Sequence, residues 1–392
     1  MPADGPKLAI LGKLVIFLVI AGSLYGAYHY LYPSGFSLGK QGGPALFTGK
    51  QVEIGIAYGT EKERWLQWAA DEFAKTGDGR GVKINLIPMG SLEGAQAIVG
   101  GDQRINVWAP ASGVYKETFV QDWQSKYNSD PIVKQENLAL TPMVIVMWDE
   151  RYQAFIHKYK TVTFSKIGAA LMEKGGWNSI AGKPDWGLFK FGHTNPNESN
   201  SGLLTLVLMA YDYTGKTKGL GPGSVVDVGF QTWLRDVEAG ASCQENSTGN
   251  LMKDMVLKGP SVYDAVFVYE SVAIDYLKNA EGRWGNLRIV YPQRNMWNDN
   301  PYYIINASWS TQEQRDAADK FLQFLMSEAV QKQALTHGFR PANVNVPVRF
   351  SGSPFVVYEK YGLKPDIGTI CEAPKADVIN NLLASWQRSQ AR

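Results

Sequence analysis

From residue 51 onward the sequence alternates two periods, and this alternation constrains the fold more than any other feature. Short apolar runs at 52–57 (VEIGIA), 82–88 (VKINLIP) and 106–109 (NVWA) have the length and bounding turns of strands. Between them, Trp65, Trp68, Ala69, Phe73 and Ala74 recur at helical spacing within 61–76, and helical patterns also fall at 95–99 and 114–126. Strands alternating with helices of this length form right-handed βαβ units, so an α/β fold with a parallel sheet is expected. The run 138–148 (LALTPMVIVMW) is long enough to leave one sheet and enter another. A second set follows, with helical patterns at 164–173, 202–213, 226–239 and 251–258 and strands at 188–191, 264–268 and 287–291. The strand 302–306 and the helices 312–327 and 329–337 close the body, and 377–389 reads as a last amphipathic helix. With 392 residues, at ~150 per domain, the chain has room for two to three domains or one two-lobed unit.

The amino-terminal region sets the expected compartment. Residues 14–32 (LVIFLVIAGSLYGAYHYLY) carry no fixed charge. At ~1.5 Å per residue they nearly cross a ~30 Å hydrocarbon core, and 8–12 extend the run past Lys13. Lys7 and Lys13 keep residues 1–13 in the cytoplasm, which sends the body outward. Tyr25, Tyr28, Tyr30 and Tyr32 sit where an aromatic belt belongs. No A-x-A site follows, so an uncleaved single-pass anchor in the cell membrane is expected, with a cleaved signal peptide as the competing reading. Residues 33–50, with five Gly, two Pro and two Ser, read as a flexible tether.

Composition and motifs exclude several chemistries. Lys7, Lys13, Lys40 and Lys50 against Asp4 place +3 of charge in the first 50 residues, so the body carries about −1 of the net +2. It offers no basic face for nucleic acid. Cys243 and Cys371 form no C-x-x-C pair, which excludes a zinc knuckle or iron–sulfur site and leaves open whether they pair with each other. His29, His157, His193 and His337 stand apart, with no HExxH, and neither a G-x-S-x-G elbow nor a phosphate-binding P-loop occurs. No catalytic residue, metal or cofactor is therefore assigned, and the chain is not read as an enzyme.

The strand ends do carry chemistry. Strands run into Tyr58-Gly59-Thr60, Met89-Gly90-Ser91, Pro110-Ala111-Ser112-Gly113 and Tyr269-Glu270-Ser271, and residue 191 into HTNPNESNSG before an apolar helix. Ligands of open α/β sheets bind beyond such ends, where helix N-termini offer unpaired N–H groups and partial positive charge. Ser199-x-Ser201-Gly202 is the densest example. Tyr58, Trp108, Tyr269, Tyr291 and Trp297 lie near strand ends and offer stacking surfaces, and Arg294 offers a clamp for an oxyanion.

GSLEGAQAIVGG (90–101) followed by INVWAPAS (105–112), FGHTNPNESNSGL (191–203), VYESVAIDY (268–276) and THGFRPAN (336–343) come in an order that resembles bacterial extracellular solute-binding proteins. The branch resembled is that of molybdate- and sulfate-type binders with the class II periplasmic-binding fold, often found beside von Willebrand factor A domains. The resemblance spans about 51–350. It implies a two-lobed structure, with 51–142 plus 301–392 as lobe one and 143–300 as lobe two. It also implies a cleft taking Gly90, Ser91 and Ser112 from lobe one and Thr194, Asn195, Ser199, Ser201 and Tyr269 from lobe two. The expected ligand is an oxyanion, given Ser/Thr/Gly strand ends and no acidic cluster, with a sugar or peptide as the alternative. The expected partner is a transporter permease or sensor; a scaffold docking a von Willebrand factor A-type protein is the other reading. The anchor and the roughly 50 residues beyond the G-F-R-P-A-N stretch depart from the family pattern.

Overall fold

The computed structural model of the protein describes residues 51–390. In chain order the strands are β1 (Val52–Tyr58), β2 (Val82–Pro88), β3 (Val107–Ala109), β4 (Ile132–Asn137), β5 (Ala139–Trp148), β6 (Phe191–Gly192), β7 (Ala265–Tyr269), β8 (Leu287–Val290), β9 (Arg294–Asn295), β10 (Trp297–Asn298), β11 (Pro301–Ile305), β12 (Arg340–Pro341) and β13 (Thr369–Ile370). They build two main sheets. One has the order β2-β1-β3-β11-β4; the other runs β10-β5-β7-β6, with β8 and β12 also pairing β5. This is the two-lobed α/β arrangement that the resemblance implied.

The parallel expectation holds for β1 with β2, β1 with β3, and β6 with β7. Both faces of β1 are covered, which is why its last five residues are buried and its sequence is apolar without alternation. The strands that cross between lobes break the rule. β11 runs antiparallel to β3 and β4, and β5 runs antiparallel to β7, β8, β10 and β12. Each crossing strand enters its sheet from the other lobe, opposite to the strands that the helical crossovers supply.

Among the elements that the sequence reading does not predict, two show a local reason. Five of the six residues of β4 are exposed and none is buried, as suits an edge strand, so it lacks an apolar run. The helix Asp149–Tyr159 buries only Arg151 and Phe155, which is too sparse a stripe to register as amphipathic. The resemblance places 301–392 in lobe one, whereas the helix Ala376–Gln390 packs on the helices Val228–Glu238, Pro222–Val225 and Asn200–Thr214. Its apolar stripe of Val378, Ile379, Leu382 and Trp386 matches that groove rather than the first sheet. The anchor (14–32) and tether (33–50) lie outside the described residues; among those described, no helix is long and apolar enough to cross a membrane. Cys243 and Cys371 are separate free thiols.

The crossings meet at one polar hub. Lys62 is completely buried and donates to Glu61, to Pro110 O (3.2 Å) and to Asn300 Oδ1 (3.1 Å). Asn300 adopts φ +41°, in the left-handed region that Asn tolerates better than most residues. Its amide donates to Ala139 O (3.2 Å) and Asn298 O (3.1 Å), while its carbonyl accepts from Leu138 N (3.0 Å). Burial pulls the Lys62 ammonium below its ordinary pKa despite the adjacent Glu61 carboxylate. A further crossing at β12 is held by Arg340, which donates to both oxygens of the buried Glu270 (2.8 and 2.7 Å).

Lys62→Met should lower stability by about 3–5 kcal/mol, the usual cost of removing one partner from a buried ion pair. Urea unfolding followed by circular dichroism measures it; a change below ~1 kcal/mol would mean that the hub does not hold the crossings together.

Candidate functional site

The cleft between the two sheets holds a cavity of about 470 Å³. Its first-lobe wall is the end of β1 (Gly59, Thr60, Glu61) and the start of the helix Ser91–Gly100 (Met89 to Glu93, Gln96), with Ala111 after β3. Its second-lobe wall is Asn197 to Asn200, Asn246 to Thr248, and Tyr269 at the end of β7.

The sequence explains why polar side chains collect here. Four helices begin at the cavity: Ser91–Gly100, Asn200–Thr214, Thr248–Lys258 and Glu270–Ala280. Their capping positions are Gly90, Ser199, Ser247 and Tyr269, and at Ser199 and Ser247 no side chain bonds the first-turn N–H groups, whereas in the helix after Tyr269 the Ser271 N–H donates to Thr141 Oγ1 (3.0 Å). Those donors and the partial positive charge of each helix therefore face the cavity. The lips approach closely, with Thr60 Oγ1 3.3 Å from Ser247 Oγ, and Arg64 Nη1 2.9 Å from Asp275 Oδ2 across the cleft. Gly90 is required by the same closeness, since a Cβ there would lie 2.9 Å from Glu198 O.

An amide chain orients the floor. Asn298 Nδ2 donates to Thr141 O (3.1 Å), so its Oδ1 must accept, which fixes the Asn200 amide that donates to it (2.8 Å). Asn200 Nδ2 also donates to Tyr269 Oη (2.9 Å), which leaves the Tyr269 hydroxyl proton free to give. Burial first, and then the Glu61 charge, push the Tyr269 phenol well above its ordinary pKa, so it remains a donor at all physiological pH. Asn200 is 4% exposed, and its Oδ1 has no partner among the described residues.

Of the residues expected in the cleft, Gly90, Ser91, Ser199 and Tyr269 line the cavity, and Ser112, Thr194, Asn195 and Ser201 do not. Ser112 accepts from Val114 N (3.3 Å) as a cap, a role its sequence position shares with cleft residues. Asn195 braces its own loop through Asn197 N (3.0 Å) and Glu198 (3.3 Å). Thr194 and Ser201 are fully buried beneath the wall. Ser201 Oγ lies 2.7 Å from Thr194 Oγ1, 3.1 Å from Ser199 Oγ and 2.6 Å from Thr248 Oγ1, so it ties two helix starts together. Arg294 is spent on Gly215 O (2.7 Å) and Lys216 O (2.8 Å), not on the cleft. Trp108 packs against Phe119 and Tyr303 in the core, and Tyr291 bonds Glu270.

Sequence reasoning named Thr60 only as part of a strand end and missed Glu61, Asn200 and 246–248. Asn200 lay within the quoted loop but was passed over as a spacer. Asn246-Ser247-Thr248 had a visible capping signature but no strand before it. The absence of an acidic cluster is also corrected: Glu61, Glu93 and Glu198, distant in sequence, all line the cavity. Glu61 pairs with Lys62, Glu93 accepts from Gly90 N (3.1 Å), and Glu198 accepts from Asn195. Among the described residues no group of three or more His, Cys, Asp or Glu is placed to hold a metal ion.

Behind the Thr194–Ser201 loop lies His193, fully buried. Its Nδ1 donates to Thr194 O (2.8 Å) and its Nε2 to Glu238 (3.0 and 3.2 Å), an arrangement that needs protons on both nitrogens. Glu238 also accepts from Trp386 Nε1 (2.8 Å), which links the last helix to the loop. Burial opposes the imidazolium, but the Glu238 charge and the bonds to Glu238 and Thr194 outweigh it and raise the His193 pKa above its ordinary value. A raised pKa stabilises the fold fully below the unfolded value of ~6.5, and that contribution is lost as pH rises through the folded value. His193→Gln should therefore cost more stability at pH 5.5 than at pH 8.5 in urea titrations. An equal cost at both would show that His193 is neutral in the fold. Ser201→Ala should cost about 1–3 kcal/mol by stranding its buried partners, read as a lower unfolding midpoint.

The profile of the family described as "Bacterial extracellular solute-binding protein" matches residues 54–340, well over half of the chain. No curated protein matches the sequence. Among solved structures, the sulfate-binding protein SubI from Mycobacterium tuberculosis is similar with a TM-score of 0.55 at 14% identity, covering 83% of this chain and 96% of that one. A periplasmic thiamin binding protein gives 0.57 at 14%, over 87% and 96%. Iron-bound HitA from Pseudomonas aeruginosa gives 0.56 at 14%, over 86% and 99%. At such identities these likenesses establish the shared two-lobed fold. With the profile match, the cleft between two crossing-linked lobes places this chain in the bacterial extracellular solute-binding protein family.

Proposed function

We propose that this protein, a binder of small solutes by family, is held at the membrane by residues 14–32 and captures its ligand by an oxyanion group in the interlobe cleft, for delivery to a transporter permease. One observation carries the oxyanion reading. Four helices begin at the cavity, and the two capped at Ser199 and Ser247 leave their first-turn N–H groups unbonded by side chains. The Tyr269 hydroxyl, the Thr60, Ser247 and Thr248 hydroxyls and the partial charges of the helices supply donors that favour an anion without a charged side chain. The near-neutral body is compatible with this, since oriented dipoles in a confined site act more strongly than distant net charge.

The three carboxylates refine the reading. A fully deprotonated tetrahedral ion offers Glu61, Glu93 and Glu198 nothing but acceptors. An oxyanion that carries hydroxyl hydrogens gives them something to receive. The cavity volume, about 470 Å³, also falls in the range of sites for organic ligands, ~300–1,000 Å³.

Charge substitutions test the sign. Phosphate, sulfate and molybdate are titrated into the full-length protein in detergent by calorimetry. Ser199→Asp should weaken whichever ion binds by at least ~10-fold, since ~1.4 kcal/mol of repulsion suffices for that factor. Glu198→Gln should tighten it. Reversed signs would assign a cation to the cleft, and unchanged affinities in both variants would place the anion elsewhere.

A further inference from the structure

A second compartment adjoins the cleft. It has a volume of about 370 Å³ and shares Thr60, Glu61, Asn246 and Ser247 with the first, so the Thr60–Ser247 contact forms the neck between them. Two of the residues that line it carry unpartnered buried polar atoms. Trp65 is fully buried, with its ring 5.8 Å from that of Phe339, yet its Nε1–H has no partner among the described residues. Ser271 is 2% exposed; its N–H donates to Thr141 Oγ1 (3.0 Å), but its Oγ is likewise unpartnered. Buried polar groups in folded proteins nearly always find partners. Here an indole, which can only donate, and a hydroxyl border the same cavity.

The chemistry of what fits there follows from the wall. The indole requires an acceptor. Glu61, beyond its bond from Lys62, and the exposed Glu63 offer acceptor oxygens, and Asp275 is already held by Arg64 (2.9 Å). A free anion suits neither carboxylate, and an apolar group leaves the indole unsatisfied. A hydroxyl satisfies both, because it donates and accepts. The first compartment repeats the demand, since the unpartnered Asn200 Oδ1 also needs a donor.

We propose that the two compartments hold one extended ligand, a phosphorylated polyol such as a sugar phosphate. Its phosphate sits against the helix starts of the first compartment. Its hydroxylated body passes the Thr60–Ser247 neck and meets Trp65 Nε1 and Ser271 Oγ in the second. The inference rests on the oxyanion reading of the first compartment and extends it.

Calorimetry on the full-length protein in detergent, with inorganic phosphate, glucose and glucose 6-phosphate, separates the two. Glycerol 3-phosphate and inositol phosphate serve as further phosphorylated members. The best phosphorylated polyol should bind at least tenfold more tightly than phosphate. Trp65→Phe and Ser271→Ala should each weaken that ligand severalfold while leaving phosphate within twofold. Ser271→Ala removes one oxygen and keeps the fold's packing, so it answers even if the tryptophan variant unfolds. Phosphate binding as tightly as every phosphorylated polyol, with both variants silent, would overturn the second compartment and leave the oxyanion reading standing. Glucose binding as tightly as glucose 6-phosphate, or no phosphate-bearing probe binding at all, would overturn the oxyanion reading itself.

Discussion

Everything in this molecule depends on how a chain passes between two sheets without leaving polar groups stranded. The passage is made at Leu138–Ala139 and at Asp299–Asn300, where ladder bonding stops and backbone groups need other partners. Asn300 supplies them by bonding Ala139 O, Asn298 O and Leu138 N, and Lys62 brings a buried ammonium to Asn300 and Pro110 O. The lysine must be satisfied on all three hydrogens because an unpaired buried charge is far more costly than an unmade neutral bond. Its third partner is Glu61, which lines the cleft. The same contact that joins the lobes therefore sets one wall of the ligand site.

From that geometry the character of the cleft follows. The lobes present helix starts to each other because strand ends, and hence the turns into helices, collect at the facing edges of both sheets. The donors are backbone groups and hydroxyls held by a fixed amide chain through Asn200 and Asn298, so they need little reorganisation to meet a ligand. The carboxylates prevent the site from being a simple anion trap. They place acceptors beside the donors, and the unpartnered Asn200 Oδ1 adds another.

Residues behind the cleft are as consequential as those within it. Ser201 fastens the helix starts at Ser199 and Thr248 to Thr194, and His193 fastens that loop to Glu238 and through it to Trp386 on the last helix. The last helix thus belongs mechanically to the second lobe, although it follows first-lobe elements in sequence.

Much of this was legible in the residues themselves. Periodicity located β1, β2, β3, β5 and β7 and the helices after the first three, because buried strands and well-striped helices write their environment locally. It also pointed to the strand ends, and so to Gly90, Ser91, Ser199 and Tyr269 at the cleft. What the sequence alone could not decide was which hydroxyls face the cavity and which lie beneath it. Ser199 and Ser201 differ by two positions and carry the same group, yet one lines the wall and the other is a buried brace. Only the tertiary structure settled that, and only it brought together Glu61, Glu93 and Glu198, or Trp65 and Ser271. Capping and periodicity are local properties of the chain, whereas convergence on a cleft is set by strand crossings between residues that lie far apart in sequence.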